Sequence, residues 1–334
     1  MENDNNILNW AIIGCGDVAE RKGGPPLYKT PGSALRAVMS RDLTKAEDFA
    51  RRHQAEAAYN ALDELLKDDL INAVYIATPV FLHYEQVLQA AEAGKHVLCE
   101  KPMAMDVQQC QKMIAACRRH DVALMIAYYR RMFPVILKLK SLIDSGAIGK
   151  AVFTRIEKHS VLNFTEEWAA DWKFNPQMSG GGVLMDIGSH RLDLLLYLFG
   201  DVADINGHAE TASLPMSVDD SITFELKFMS GVRAIGSICW NLHQSSDLIE
   251  VFGTDGKISI PEINDGRIIV ETGQDREILQ LPVLSYTHSG LIENFRDHLA
   301  SGKPNCSAGE SALKVNAMMG DIYRSSGTFD QENA

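Results

Sequence analysis

Hydrophobic and polar positions follow two different rhythms along this chain, and the change falls near residue 150. In the first part, short apolar runs at 10–13, 35–40, 73–77, 96–99 and 123–127 read as buried strands. Between them, apolar and charged residues recur at helical spacing over 44–53, 61–67, 81–93 and 107–120. Gly94 stands where a helix ends on a glycine. This alternation predicts right-handed βαβ units and a doubly wound parallel sheet with helices on both faces. Beyond Gly149 the apolar runs at 152–156, 222–228, 232–240, 248–252, 267–271 and 277–281 are β-rich. Ser230-Gly231, Asp255-Gly256 and Asp265-Gly266 separate several of them as turn signals, which predicts a large, mainly antiparallel sheet. One long helix over about 182–199 interrupts that sheet, and another covers 308–326. The expected division is a first domain at 1–128, a second at 129–307, and a C-terminal helical segment at 308–334 that packs back on the first domain.

A chain of 334 residues accommodates two such domains. Its formal net charge of -12, with no block of Lys or Arg, argues against a nucleic-acid partner. The first nine residues are acidic and amide-rich and lack a signal-peptide pattern, and no apolar segment reaches membrane-spanning length. Six scattered cysteines without a C-x-x-C pair read as reduced core thiols. Together these features predict a cytoplasmic protein without a membrane partner.

Gly14-x-Gly16-x-x-Ala19 follows the first strand and opens a helix. The first glycine permits a tight turn, the second lets the backbone approach a pyrophosphate, and Ala19 keeps the helix close to the strand. Asp17 and Val18 complete that turn, and free N–H groups at the helix start suit phosphates. The second strand ends Ser40-Arg41-Asp42. Ser40 does not repel a 2′-phosphate and Arg41 can pair with one, which favours NADP(H); Asp42 keeps NAD(H) open. Thr78 and Pro79 end the third strong strand and are expected at the cofactor crevice, with His83 in the next helical turn. Glu100-Lys101-Pro102 ends a further strand, where a partly desolvated lysine can exchange a proton with a substrate hydroxyl.

Residues 179–193 hold the second informative stretch. At helical spacing Asp186, His190 and Asp193 share one stripe on a segment that is otherwise apolar almost all round. Buried polar groups need partners or a polar cavity, so the stripe is expected to face an active site, with His190 as acid/base or as the group that holds the substrate oxygen, and Asp186 orienting the substrate or the imidazole. Asp-x-x-x-His also admits a metal, but no third ligand stands at motif spacing, and the expectation is none. Tyr129 and Arg131 follow a strand end, and Trp168, Trp172 and Lys173 precede the glycine run at 180–182; these are further candidates for lining a crevice.

The ordered set of these motifs resembles the glucose-fructose oxidoreductase / inositol dehydrogenase (Gfo/Idh/MocA) family. The residues that carry the resemblance are Gly14-Cys15-Gly16-Asp17-Val18-Ala19, Ala77-Thr78-Pro79 with His83, Ala93 to Ala104, Tyr129-x-Arg131, and Gly180-Gly181-Gly182 through Asp186, His190 and Asp193. The resemblance implies an N-terminal Rossmann domain that binds NAD(P) and a C-terminal α/β domain with an open mixed sheet that often forms the oligomer interface. It implies Lys101, Asp186 and His190 as the catalytic set, Glu100, Trp172 and Lys173 near the cofactor, Tyr129, Arg131 and Asp193 near substrate, and a cis Lys101–Pro102 bond. Sugars, cyclitols and related polyols are the implied substrates, and a homodimer or homotetramer the implied assembly. The chain departs from the family at Lys173, where arginine is common, at Val80, where asparagine is frequent, and at Gly23-Gly24-Pro25-Pro26, which lengthens the glycine loop beside Lys22. The leading expectation is hydride transfer between NAD(P)(H) and a carbinol or keto carbon. A non-catalytic NADP(H) sensor is the alternative, and an enzyme that retains its cofactor through an oxidation and a reduction is a third reading.

Overall fold

The computed structural model describes residues 7–161, 171–240 and 242–327. These form two compact units: one holds the described residues up to Tyr129 together with Leu284–Leu313, the other Arg130–Val283 and the residues from Lys314 onward.

In the first unit, β1 (Leu8–Ile13), β2 (Ser33–Met39), β3 (Ala57–Tyr59), β4 (Ala73–Ile76), β5 (His96–Cys99) and β6 (Leu124–Ile126) make one sheet in the order β3-β2-β1-β4-β5-β6. Every pairing is parallel. Ala73, Val74, Tyr75 and Ile76 are all fully buried, as helices on both faces of a parallel sheet require. Side-chain caps set two of those helices. Asp42 accepts from the Lys45 N–H to start Leu43–His53, and Asp106 accepts from the Gln109 N–H to start Val107–Arg119. The helix Ser289–Ser301 belongs to this unit, where Phe295 stacks against Trp10 with ring centroids 5.6 Å apart.

In the second unit, β7 (Ala151–His159), β8 (Val202–Glu210), β9 (Ser221–Phe228), β10 (Arg233–Cys239), β11 (Ile249–Gly253), β12 (Gly256–Ile260), β13 (Arg267–Thr272) and β14 (Asp275–Gln280) form an eight-stranded sheet. Its order is β14-β13-β12-β11-β7-β10-β9-β8, and only β7 and β10 run parallel. The expected large, mixed, mainly antiparallel sheet is therefore present. Along β9, Ile222, Phe224, Leu226 and Phe228 are buried while the residues between them face outward, the period-two pattern of a sheet covered on one side. A turn at Leu184–Gly188 packs on β9 and β10, and the helix Ser189–Phe199 continues it, buried on nearly every side.

Candidate active site

The strand order of the first sheet places β1 between β2 and β4, so connections leave β1 toward opposite sides and a crevice opens at the carboxyl ends. Gly14 sits there with φ +102°, and a Cβ on it would stand 2.8 Å from the Ala77 carbonyl oxygen. Its N–H donates to Met39 O at 2.9 Å, so this glycine joins three strand ends. Gly16 is different: a Cβ would meet nothing within 4 Å. That open ground beside bare backbone is what a pyrophosphate needs, and the residues fit a dinucleotide. Asp17 is exposed and pairs with Arg21 at 2.8 Å, and Val18 leads into a π-helical turn at Ala19–Gly23. The expected helix is cut short here. Gly24 N–H reaches back to Ala19 O at 3.0 Å, and Pro25 and Pro26, which carry no N–H, restart the chain as the single helical turn Pro26–Lys29.

At the end of β2, Ser40 is half-buried and Arg41 exposed. The Ser40 Oγ accepts from the Asp42 N–H at 3.4 Å, and the Asp42 carboxylate is engaged in its capping bond. Thr78 Oγ donates to Gln86 at 2.6 Å, and Pro79 starts the short turn Val80–Leu82. His83 is buried, with Nε2 2.9 Å from Thr78 O and Nδ1 3.0 Å from Pro102 O. Its ring thus ties the loops after β4 and β5 together. Burial lowers its pKa, and the two carbonyls oppose that shift.

The Lys101–Pro102 bond is cis. Lys101 itself is half-buried. Glu100 lies inside: Oε1 accepts from the Tyr75 hydroxyl at 2.6 Å and from His288 Nε2 at 2.9 Å, and Oε2 accepts from the Lys101 backbone N–H at 3.3 Å. Burial alone would raise this carboxyl's pKa; the hydrogen bond and charge of His288, the Tyr75 hydroxyl and the Lys101 charge outweigh it and hold the pKa below its usual value. Tyr129 is buried, with its ring 4.5 Å from that of His288.

In the second unit, the turn Leu184–Gly188 is π-helical, with one extra residue in the turn. Asp186 is exposed, and His190 and Asp193 are buried. Asp193 receives Arg131 in a fork, with Nε 2.9 Å from Oδ2 and Nη2 2.6 Å from Oδ1. Burial pushes the Asp193 carboxyl up to about 6 against the pull of Arg131. The Arg131 guanidinium also lies 5.5 Å from the Tyr197 ring centre. Trp172 and Lys173 stand in the turn Trp172–Phe174, held by the Asp171 carboxylate on the Lys173 N–H; Trp172 is half-buried and Lys173 exposed. Trp168 falls outside the described residues.

Four residues that no motif indicated organise these positions. Tyr75 and His288 hold Glu100. Asp219 and Tyr323 hold the second glycine run. Asp219 accepts from Gly182 N–H at 2.7 Å, Leu184 N–H at 2.8 Å and the Tyr323 hydroxyl at 2.7 Å. A carboxylate just ahead of an apolar strand was the only sign of Asp219 in the sequence. His288 stands at a helix entrance with nothing nearby to reveal its partner.

The chain matches two family descriptions. Residues 8–128 match the oxidoreductase family with the NAD-binding Rossmann fold, and residues 136–259 match the GFO/IDH/MocA C-terminal domain. The chain belongs to the Gfo/Idh/MocA oxidoreductase family. Oxidoreductase P35 of Formosa agariphila is 34% identical over 95% of this chain and 98% of its own length. A D-xylose 1-dehydrogenase [NADP(+)] of Haloarcula marismortui is 32% identical over 76% of this chain and 72% of its own. Among solved structures, an aldose-aldose oxidoreductase of Caulobacter crescentus, in complex with glycerol, superposes with a TM-score of 0.88 at 27% identity, over 96% of this chain and 98% of that one. This Gfo/Idh/MocA protein is an NAD(P)-dependent oxidoreductase with a Rossmann unit. Among the described residues, no helix is long and apolar enough to cross a membrane.

Proposed function

We propose that this enzyme transfers a hydride between NADP(H) and a hydroxyl or keto carbon of a sugar, cyclitol or related polyol. The bound nicotinamide would supply the hydride acceptor or donor. Gly14, Gly16, Asp17 and Val18 would receive the pyrophosphate at the opening of the first crevice, with Thr78 and Pro79 beside it. Lys101 and His190 would handle the proton of the reacting hydroxyl, and Asp186 would orient the substrate or His190. The observation that carries this reading is the anchored lysine: its backbone is tied to a buried, charge-stabilised carboxylate at the carboxyl end of β5, a parallel strand paired on both sides. The names of the xylose and aldose enzymes above support the substrate class.

Arg131 and Asp193 take each other's charges and would support the helix that carries His190. Arg41, exposed beside a carboxylate already used as a helix cap, favours NADP(H) over NAD(H). The outward face of the second sheet carries the exposed Ile235 in register with Arg155 and Glu225, and it is proposed as the surface on which copies of the chain assemble. A panel of aldoses, inositols and aldonates, assayed with both cofactors, tests the function. Turnover of at least one class is expected, with NADP(H) preferred and the preference lost in Arg41→Ser. Turnover of none, with cofactor bound, would overturn it. Light scattering on the eluted protein tests the assembly, and a monomer would refute it.

A further inference from the structure

His288 comes from the segment that follows the second sheet, yet it lies wholly buried in the first unit at the foot of Lys101. Its Nε2 donates to Glu100 Oε1, and Thr287 Oγ lies 3.0 Å from its Nδ1. The threonine hydroxyl can donate to Nδ1 or accept from it, so the Nε2–H bond to Glu100 is available to the neutral and the protonated ring alike. Tyr129 and Tyr75 close over the same ring, with centroids at 4.5 and 6.1 Å. Glu100 is therefore gripped on one oxygen by two side chains from distant parts of the sequence, and its other oxygen accepts the Lys101 N–H.

We propose that His288 is a positioning residue for Lys101: it clamps the Glu100 carboxylate, which fixes both the backbone from which the lysine leaves β5 and the negative charge beside it. This inference rests on the reading of Lys101 as the proton-handling group. The charged and titratable groups that act on Glu100 are His288 from the helix entrance, Tyr75 from β4, His83 from the helix between β4 and β5, Cys99 from β5, and Lys101 itself. Among these, Tyr75 and His288 donate to the carboxylate through their side chains. The depressed pKa of Glu100 agrees with a carboxylate that keeps its charge at this place.

The test compares His288→Leu, His288→Gln, Glu100→Gln and Lys101→Met, using the sugar of highest turnover in the panel and NADPH fluorescence for cofactor affinity. His288→Leu is expected to lower kcat on the order of tenfold, the size of losing a hydrogen bond to a buried charge, with NADPH affinity little changed. His288→Gln, which keeps a donor near the Nε2 position, restores most of that loss. In a Glu100→Gln background the leucine substitution adds little, because the two residues act as one unit. The limb of the pH profile that disappears in Lys101→Met moves to lower pH in Glu100→Gln, since the ammonium loses its neighbouring anion. Normal kcat and pH profile in His288→Leu, beside an inactive Lys101→Met, would overturn the positioning role alone. A kcat loss matched by equal loss of NADPH binding would also overturn it. Normal turnover in Lys101→Met would instead overturn the reading of the lysine. Should His288→Leu not fold, an unshifted limb in Glu100→Gln refutes the proposal.

Discussion

Two glycine-rich turns, each followed by a π-helical turn, carry the two motif clusters of this chain, and they use glycine for opposite reasons. After β1, Gly16 leaves room: a side chain there would meet nothing of the protein. Before the turn Leu184–Gly188, the protein itself fills the room. A Cβ on Gly182 would lie 1.9 Å from Asp219 O, and one on Gly181, with φ +151°, 2.0 Å from the Tyr323 hydroxyl. One turn is left open, while the other is closed onto an internal carboxylate. Similar strings of glycine thus leave free space in one unit and close a packing joint in the other.

The strongest way to break this comparison is Gly182→Ala. The added methyl collides with backbone, which cannot yield as a flexible side chain would. The variant is expected to lose at least about 3 kcal/mol of stability, read by denaturant unfolding; a stable variant would show that the joint is looser than described. Gly16→Ala sharpens the other half. Its stability is expected to change by less than about 0.5 kcal/mol, while NADPH affinity falls roughly tenfold or more, about 1.4 kcal/mol, in a fluorescence titration. Equal effects on stability and binding would erase the contrast. Tyr323→Phe removes one of three donors to the buried Asp219 and is expected to cost about 1–2 kcal/mol without altering cofactor affinity.

The two buried carboxylates differ in their response to pH. Glu100 has charged neighbours, and its folded-state pKa lies below the ordinary value of 4.5. The unfolded chain therefore binds its proton more readily. The stability it contributes is fully present above 4.5 and is lost as pH falls through the folded value. Asp219 has only neutral donors, and burial raises its pKa above 3.8 against their pull. The folded chain holds that proton more tightly, so the stability linked to it declines as pH rises from 3.8 through the folded value. Unfolding followed between those limits should show a weaker acid loss in Glu100→Gln and a weaker alkaline-going loss in Asp219→Asn. Identical slopes in both variants would deny the difference in surroundings.

The parallel sheet was legible because its strands are short, apolar on both faces and spaced by helical patterns. The second sheet was legible where the residues alternate, as in β9 and β10. β8 was not: Val202–Glu210 is an edge strand with mostly exposed residues, so burial imposes little pattern on it. β3, with three residues, gives too short a signal. The motif residues could be found by spacing, but the π turns could not, since the extra residue is decided by packing. Arg131 and Asp193 were legible as polar residues in apolar surroundings, yet their mutual pairing across 62 positions of sequence was not. Partners such as His288 for Glu100 are set by topology, and a linear pattern does not carry them.

The claim on which the account turns is that Lys101 moves a proton during hydride transfer. Pre-steady-state nicotinamide absorbance, recorded for Lys101→Met with cofactor and sugar both saturating, tests it most directly. The hydride-transfer rate is expected to fall about 10²- to 10⁴-fold while NADPH binds as in the unmodified chain. An unchanged rate would contradict the account.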